Sequence, residues 1–198
     1  MPEVNTVIEG NSDQGFAEAL LATAGLTIGR LIPCGGKPNL LKKLAGYNSA
    51  AAFSPWFVLV DLDHDADSAE GGEQLWLPSP ERLICFHAAV RMIESWMLAD
   101  AERAASFLGV SLSTLPSDPE SIADPKELVV NLARRSRKRL IRDGLVPRPN
   151  SGARIGPTYV SDISAFGAGH WRPQVAAEAS PSLQRCLDGI AALAAKLS

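Results

Sequence analysis

Short apolar segments that alternate with helix-like segments are the feature of this sequence that most restricts its fold. Phe57-Val58-Leu59-Val60 is an uninterrupted apolar run, which is typical of a strand buried inside a sheet. We expect strands at 4–9, 27–32, 57–61 and 83–87, and helices at 13–24 and 38–46. This order predicts an α/β fold of Rossmann-like build, in which a mostly parallel sheet is covered on both faces.

Composition narrows the class of protein further. The chain has 198 residues, 46% of them hydrophobic, and no apolar segment of about twenty residues, so we expect one well-packed domain and no membrane span. Met1-Pro2-Glu3-Val4 has neither a basic leader nor an apolar signal core, so we expect a cytoplasmic protein. Cys34, Cys85 and Cys186 are widely separated, and we expect them to be reduced and structural.

Carboxylates follow the apolar run directly, in Asp61-Leu62-Asp63-His64-Asp65. An extended backbone would place Asp61 and Asp63 on one side, at the carboxyl edge of the sheet where open α/β folds bind ligands. Such close charges repel unless a cation neutralises them or one group keeps its proton, which favours a divalent-cation site. The alternative is a solvated acidic turn that ends the strand, with Asp65 and Asp67 solvated or outside the ligand set.

A further carboxylate, Glu9, ends the first predicted strand. Gly10 would allow the sharp turn that follows it, and Ser12 or Asp13 could cap the next helix. Glu9 alone is also typical of a surface residue beside a turn. Together with the acidic run after the later strand, it predicts a shared site.

The last candidate carboxylate, Glu94, lies in the segment 88–99, which we predict to be a helix. Its neighbours three and four positions away are mostly apolar, so an ionised Glu94 requires a partner. Either Arg91, in a structural ion pair, or a metal at the sheet edge could be that partner. We expect Asp100 and Glu102 to cap and begin another helix.

These motifs resemble those of the Toprim (topoisomerase-primase) domain. The matching segments are Glu-Gly-x-x-Asp at 9–13, Asp-x-Asp at 61–63 and Glu94-Ser95-Trp96. The chain is similar to uncharacterised Toprim-like proteins related to the overcoming-lysogenization-defect (OLD) nucleases, over about residues 4 to 126. In those nucleases an Asn follows the helical Glu, so Ser95 is a departure from the pattern.

The resemblance implies a metal-dependent nuclease or phosphodiesterase of the Toprim type that acts on nucleic acid, with phage defence as an expected role. The side chains that would hold one or two Mg²⁺ or Mn²⁺ ions are Glu9, Asp61, Asp63 and Glu94. By its order along the chain, Lys126 corresponds to the lysine with which these nucleases stabilise the charge of the reacting phosphate.

The same resemblance leaves a second class of function open. OLD-related Toprim domains are often coupled to an ATPase, and we find no ATPase motif in this sequence. The chain could therefore be a non-catalytic metal- and nucleic-acid-binding subunit of a larger assembly, with an ATPase or another protein as its partner.

Basic residues are concentrated beyond a core of about residues 1–110, in a helical portion of about 111–198. Between 134 and 154 there are eight basic residues and one acid, in a chain of net charge −3. Such a patch suits contact with a phosphate backbone, DNA more than RNA, although a solvated helix face is the alternative. The residues that we expect to contact nucleic acid here are Arg134, Arg135, Arg137, Lys138, Arg139 and Arg142.

The remainder of this portion shows weaker patterns. We expect helices from about Lys126, at 158–166 and at 182–197. Tyr159, His170 and Trp171 could contact a ligand, but packing is the interpretation that we favour for all three.

Three other kinds of site match the sequence poorly. The segment 33–38 lies between a strand and a helix, but Pro38 stands where a phosphate loop needs Ser or Thr; Lys37 could still contact a phosphate. The acidic run 61–67 lacks the glycine and the final glutamate of an EF-hand. A haloacid-dehalogenase-type phosphatase would offer no role for Glu9.

Overall fold

A computed structural model describes residues 1–197. The strands are β1 (Glu3–Ile8), β2 (Thr27–Pro33), β3 (Trp56–Asp61) and β4 (Ile84–Ala89). The helices are α1 (Gln14–Ala22), α2 (Lys37–Ala50), α3 (Ala69–Trp76), α4 (Ile93–Ala99), α5 (Ala101–Leu108), α6 (Pro125–Arg134), α7 (Arg139–Leu145), α8 (Tyr159–Gly169), α9 (Pro173–Ala177) and α10 (Pro181–Ala195). The predicted α/β class with a helical carboxyl-terminal portion is confirmed, and each predicted strand is present with its ends within two residues of the prediction.

The sheet is entirely parallel, with the strand order β2-β1-β3-β4. Leu20 of α1 packs into the core on one face, whereas Leu40 of α2 packs into the core on the other. The chain therefore moves outward from β1 to β2 and then returns to the opposite side of β1. The point where this order reverses lies between β1 and β3, and open α/β sheets bind ligands at the carboxyl ends of such a pair.

The apolar run in β3 is buried on both of its sides. Phe57 and Leu59 belong to the core that contains α1, and Val58 and Val60 belong to the core that contains α2. All six residues of the strand are buried, which is why the sequence shows no alternation of polar and apolar residues here.

The carboxyl-terminal helices share a core with the sheet. Helix α8 lies close against α1, where Phe16 and Phe166 have ring centroids 6.3 Å apart. Leu183 and Ile190 of α10 are buried in the same cluster as Phe57 of β3. Among residues 1–197, no helix combines the length and the apolar character needed to cross a membrane.

One predicted element differs from the structure, and one helix of the structure was not predicted. The segment 88–99 is not one helix, because β4 continues to Ala89, which pairs with Asp61, and α4 begins only at Ile93. An apolar run such as Ala88-Ala89-Val90 fits a buried strand and a buried helix equally well, and the pairing with β3 decides between them. Helix α3 was not predicted, since two adjacent glycines weaken its helical pattern.

A helical glycine provides a test of the packing between α1 and α8. A methyl group on Gly15 would overlap the backbone carbonyl of Ser164, so we expect Gly15→Ala to lower the free energy of unfolding by about 3 kcal/mol. Gly46 in α2 has open space at the same position, so Gly46→Ala should be neutral or stabilising by up to about 1 kcal/mol. Urea unfolding followed by circular dichroism measures both, and equal effects of the two substitutions would contradict this account of the helix contact.

Candidate active site

Glu9 and Asp61 meet at the point where the strand order reverses. Glu9 directly follows β1 and Asp61 is the last residue of β3, and the backbone N–H of Asp61 donates to Glu9 Oε2 at 3.4 Å. Asp61 is buried, and its Oδ1 accepts a hydrogen bond of 2.9 Å from the backbone N–H of Ile93 at the start of α4. That bond brings the residue after Ile93, Glu94, to the same edge of the sheet.

Asp13 belongs to this group as well, although the sequence pattern suggested only a helix cap. Its carboxylate does not cap α1; it accepts hydrogen bonds of 2.9 Å from the backbone N–H of Gly10 and from the Ser12 hydroxyl. Burial, together with the negative charges of Glu94 and Glu9, raises the pKa of Asp13 to about 6. The Glu-Gly-x-x-Asp spacing was the signal that could have identified Asp13 as a site residue.

We call the four carboxyl groups Glu9, Asp13, Asp61 and Glu94 the acidic cluster. Burial and the charges of the other three members raise the pKa of Asp61 well above its ordinary value. Burial also raises the pKa of Glu9. Simultaneous ionisation of the carboxyl groups of the cluster is therefore unfavourable at neutral pH.

Glu94 is the most deeply placed member of the acidic cluster, with no exposed surface. Its Oε1 accepts a hydrogen bond of 3.0 Å from the Tyr159 hydroxyl and lies 3.5 Å from Lys126 Nζ. Its Oε2 is buried without a hydrogen-bond partner among residues 1–197. Tyr159 thus has a polar contact in the site besides its packing role, and no local sequence pattern could have revealed a contact across 65 positions.

Lys126 supplies positive charge to the acidic cluster from the first turn of α6. Burial alone would lower its pKa, but the carboxylates of Glu94, Asp61 and Asp13 outweigh that effect and raise it. The ammonium group is therefore protonated at neutral pH. The sequence predicted Lys126 as a site residue, and the structure places it beside Glu94.

Asp63 lies outside the acidic cluster. The expectation that an extended backbone puts Asp61 and Asp63 on one side is wrong, because β3 ends at Asp61 and Asp63 has a φ of 50°. This left-handed conformation turns the chain. The Asp63 carboxylate lies 2.6 Å from Lys37 Nζ instead.

Lys37 is buried and holds the acidic loop that follows β3. Besides Asp63, its ammonium contacts the Asp65 carboxylate at 2.7 Å and the Leu62 carbonyl oxygen at 3.1 Å. Its donors are thus used within the chain, and contact between Lys37 and nucleic acid stays a prediction.

Arg91 fixes the same loop from the other side, and it does not make the ion pair with Glu94 that the sequence left open. Its guanidinium donates to the carbonyl oxygens of Asp63, at 2.9 Å, and Ala66, at 3.4 Å. The partners of Glu94 come from the carboxyl-terminal helices instead.

The acidic cluster has the oxygen ligands that a hard divalent cation prefers. The present spacing of those ligands does not fit such a cation. Carboxylate oxygens are the ligands that Mg²⁺ and Mn²⁺ prefer, and Glu94 Oε2 is a buried acceptor that lacks a donor. Within the described chain, however, no three His, Cys, Asp or Glu side chains are grouped closely enough to hold a metal ion. Binding a cation would require these side chains to move toward one another.

The basic residues of 134–142 divide into two sets, the first of which is engaged within the chain. Lys138 donates to the Ser106 carbonyl oxygen, Arg142 donates to a backbone carbonyl oxygen in the preceding turn, and Arg139 pairs with Asp143 at 3.1 Å. Lys138 thus contacts α5, Arg142 contacts the turn before α7, and Arg139 forms an exposed pair within α7.

The second set comprises Arg134, Arg135 and Arg137, which are exposed. In the part of the chain that the structure describes, their guanidinium groups have no hydrogen-bond or ion-pair partner. Positive charge without an internal counter-charge is what a polyanion can use. Contact with nucleic acid by any of the six predicted residues remains a prediction.

Comparison of the chain with models of known protein families, with curated proteins and with solved structures gives no match. The Toprim interpretation therefore remains a hypothesis that rests on the three short motifs.

Buried carboxyl groups make the stability of the metal-free protein depend on pH. A pKa of about 6 for Asp13, against 3.8 ordinarily, means that the folded state binds the proton more tightly than the unfolded state does. Its stabilising contribution is complete below about pH 4 and is lost as pH rises through about 6. We expect the free energy of unfolding in EDTA to fall by on the order of 2 kcal/mol over this window, and further at higher pH through Asp61.

Thermal unfolding between pH 4 and 8 tests this linkage. Asp61→Asn keeps the oxygen that accepts from Ile93 and removes one charge, so its melting temperature should fall less with pH than that of the wild type. Mg²⁺ should raise the wild-type melting temperature at pH 8 more than that of Asp61→Asn. Asp67→Asn, an exposed acid in the same loop, should follow the wild type, and parallel curves for all three proteins would contradict the interpretation.

Proposed function

We propose that this chain is a metal-dependent nuclease that hydrolyses phosphodiester bonds of nucleic acid at the acidic cluster. The observation that carries the proposal is Glu94, fully buried with Oε2 unpaired, among carboxyl groups whose burial and mutual repulsion raise their pKa values. A divalent cation would neutralise that charge. The position at the reversal of strand order supports a ligand-binding role.

The residues that would hold Mg²⁺ or Mn²⁺ are Glu9, Asp13, Asp61 and Glu94. Asp63, which the motif resemblance also implies, could join only by leaving Lys37. The chemistry that such an ion supplies when bound is polarisation of a phosphoryl oxygen and a lowered pKa for water. In the hydrolysis, a water oxygen forms a bond to phosphorus, the bond from phosphorus to the sugar oxygen breaks, and that oxygen takes up a proton.

Lys126 has the properties required for stabilising the extra negative charge on the reacting phosphate. Its pKa is raised, so it remains an ammonium group at neutral pH, and its position is set by Glu94. A fixed cation in a largely buried place stabilises developing charge more strongly than one in water. Tyr159, which donates to the same carboxylate oxygen, acts as a positioning residue for Glu94.

The resemblance to Toprim domains of OLD-related nucleases supports the same reaction class. It is also the sole support for a role in phage defence and for an ATPase partner, which we retain as proposals. The exposed guanidinium groups of Arg134, Arg135 and Arg137 support nucleic acid as the substrate.

A second candidate is a metal- and nucleic-acid-binding subunit that does not cleave. One observation favours it: Lys126 is paired with Glu94, so its charge is already used within the chain and is not free for a reacting phosphate. In that case the cation would stabilise the sheet edge, and chemistry would belong to a partner.

Nuclease assays on site variants distinguish these candidates. We expect Mg²⁺- or Mn²⁺-dependent cleavage of DNA by the wild type, and a loss of about 100-fold or more in Asp61→Asn, Glu94→Gln and Lys126→Ala. The first two substitutions remove carboxylates that would hold the metal ion, and the third removes the cation that would stabilise the reacting phosphate. Supercoiled, linear and single-stranded substrates are compared by gel electrophoresis. Asp67→Asn should retain wild-type activity.

If the wild type does not cleave nucleic acid, titration calorimetry with Mn²⁺ distinguishes the two candidates. Binding of Mn²⁺ by an inactive wild type, lost in Asp61→Asn, would support the non-cleaving subunit. A folded wild type that neither cleaves nor binds Mn²⁺ would overturn both candidates.

A further inference from the structure

A cavity of about 310 Å³ opens beside Lys126. It lies between helix α6 and the segment 147–154. The lining residues that matter for its chemistry are Lys126, Val130, Asn131, Arg134, Pro147 and Arg154. Because Lys126 Nζ is also 3.5 Å from Glu94 Oε1, one lysine borders both the cavity and the acidic cluster.

The cavity carries an excess of positive charge. Lys126, Arg134 and Arg154 line it, and Glu127 is its one acidic lining residue among residues 1–197. Lys126 contacts Glu94 and Arg154 contacts Asp124, so Arg134 supplies the unpaired charge. Arg134 has no internal counter-charge in the described structure. A cationic cavity adjacent to a carboxylate site suits a chain of phosphates, in which one phosphate binds the arginines while its neighbour reaches the acidic cluster.

Arg154 is fixed in place by Asp124. Its guanidinium lies 2.7 Å from Asp124 Oδ2, while Asp124 Oδ1 accepts a hydrogen bond of 2.8 Å from the backbone N–H of Glu127 and caps α6. The same carboxylate thus begins the helix and contacts the arginine at the cavity.

The cavity also offers surfaces for a sugar and a base. Val130 and Pro147 give it an apolar side. The Asn131 amide supplies two donors and a carbonyl acceptor, which can recognise the edge of a base. This combination of cations, an apolar side and an amide matches a nucleotide more closely than it matches a bare phosphate ion.

Another cavity, of about 370 Å³, lies beside β4 and differs in the state of its charges. There the Arg185 guanidinium is paired with both Glu70 and Glu73. The cavity beside Lys126 differs because it includes Arg134, a guanidinium without an internal counter-charge among residues 1–197.

We propose that the cavity beside Lys126 binds one unpaired nucleotide of the strand being cleaved, next to the phosphodiester at the acidic cluster. Its volume is at the lower end of the range for small-ligand sites, about 300–1,000 Å³, which accommodates a single nucleotide. A base whose edge contacts Asn131 inside the cavity is not paired with a complementary base. The substrate is therefore a strand that is single-stranded or frayed at this nucleotide. The position next to the scissile bond rests on the proposed function, whereas nucleotide binding itself does not.

Binding measured in EDTA separates this proposal from the nuclease proposal, because no cleavage occurs. Fluorescence anisotropy compares a labelled single-stranded oligonucleotide with a blunt duplex hairpin. Arg134→Ala/Arg154→Ala should weaken single-strand binding by about tenfold or more through loss of charged hydrogen bonds. The matched control Arg135→Ala/Arg137→Ala removes the same charge from the exposed basic surface outside the cavity. It should weaken single-strand binding by only about threefold, because general attraction to phosphates is all that is lost.

Two further comparisons complete the test. Asn131→Ala should weaken single-strand binding by about threefold without changing its salt dependence, because no phosphate contact is lost. The hairpin should be affected equally by the two double substitutions. Equal weakening of single-strand binding by both double variants would overturn the cavity and leave only general attraction to the basic surface.

Discussion

The contact between the buried Glu94 carboxylate and Lys126 is the interaction on which this edge of the sheet depends. Strand order brings Glu9 beside Asp61, and the start of α4 adds Glu94. Buried carboxylates require partners. Lys126 supplies a positive charge from α6, and the neutral Tyr159 hydroxyl donates a hydrogen bond from α8. The sheet and the carboxyl-terminal helices are therefore joined through electrostatics as well as through apolar packing.

Two arrangements of charge lie side by side at this edge. In the acidic cluster, negative groups exceed positive ones and an acceptor oxygen is left unpaired. In the loop after β3, Lys37 already neutralises Asp63 and Asp65. Glu9 lies between them, since the charges of both Asp63 and Lys37 affect its pKa. A protein-derived cation thus stabilises the loop, which leaves the cluster beside it as the place where an external cation has most effect.

Much of the fold could be predicted from the sequence because its strands are buried on both faces. The uninterrupted run at 57–60 identified a central parallel strand, and the positions of Glu9 and Asp61 at strand ends predicted that they would meet. The same reasoning failed for Asp63, since one left-handed residue ended the extended geometry on which it relied. It missed Asp13 as a site residue and Tyr159 as a partner of Glu94, whose contacts depend on the packing of distant helices.

The hydrogen bond from Tyr159 to Glu94 spans 65 positions and has a consequence for the order in which the site forms. During synthesis, the ribosome releases all four carboxylates well before Lys126 and Tyr159. Until those residues emerge, Glu94 lacks both of the side chains that contact its Oε1 in the finished chain. Completion of the acidic cluster is therefore a late event, which waits for the segments that form α6 and α8.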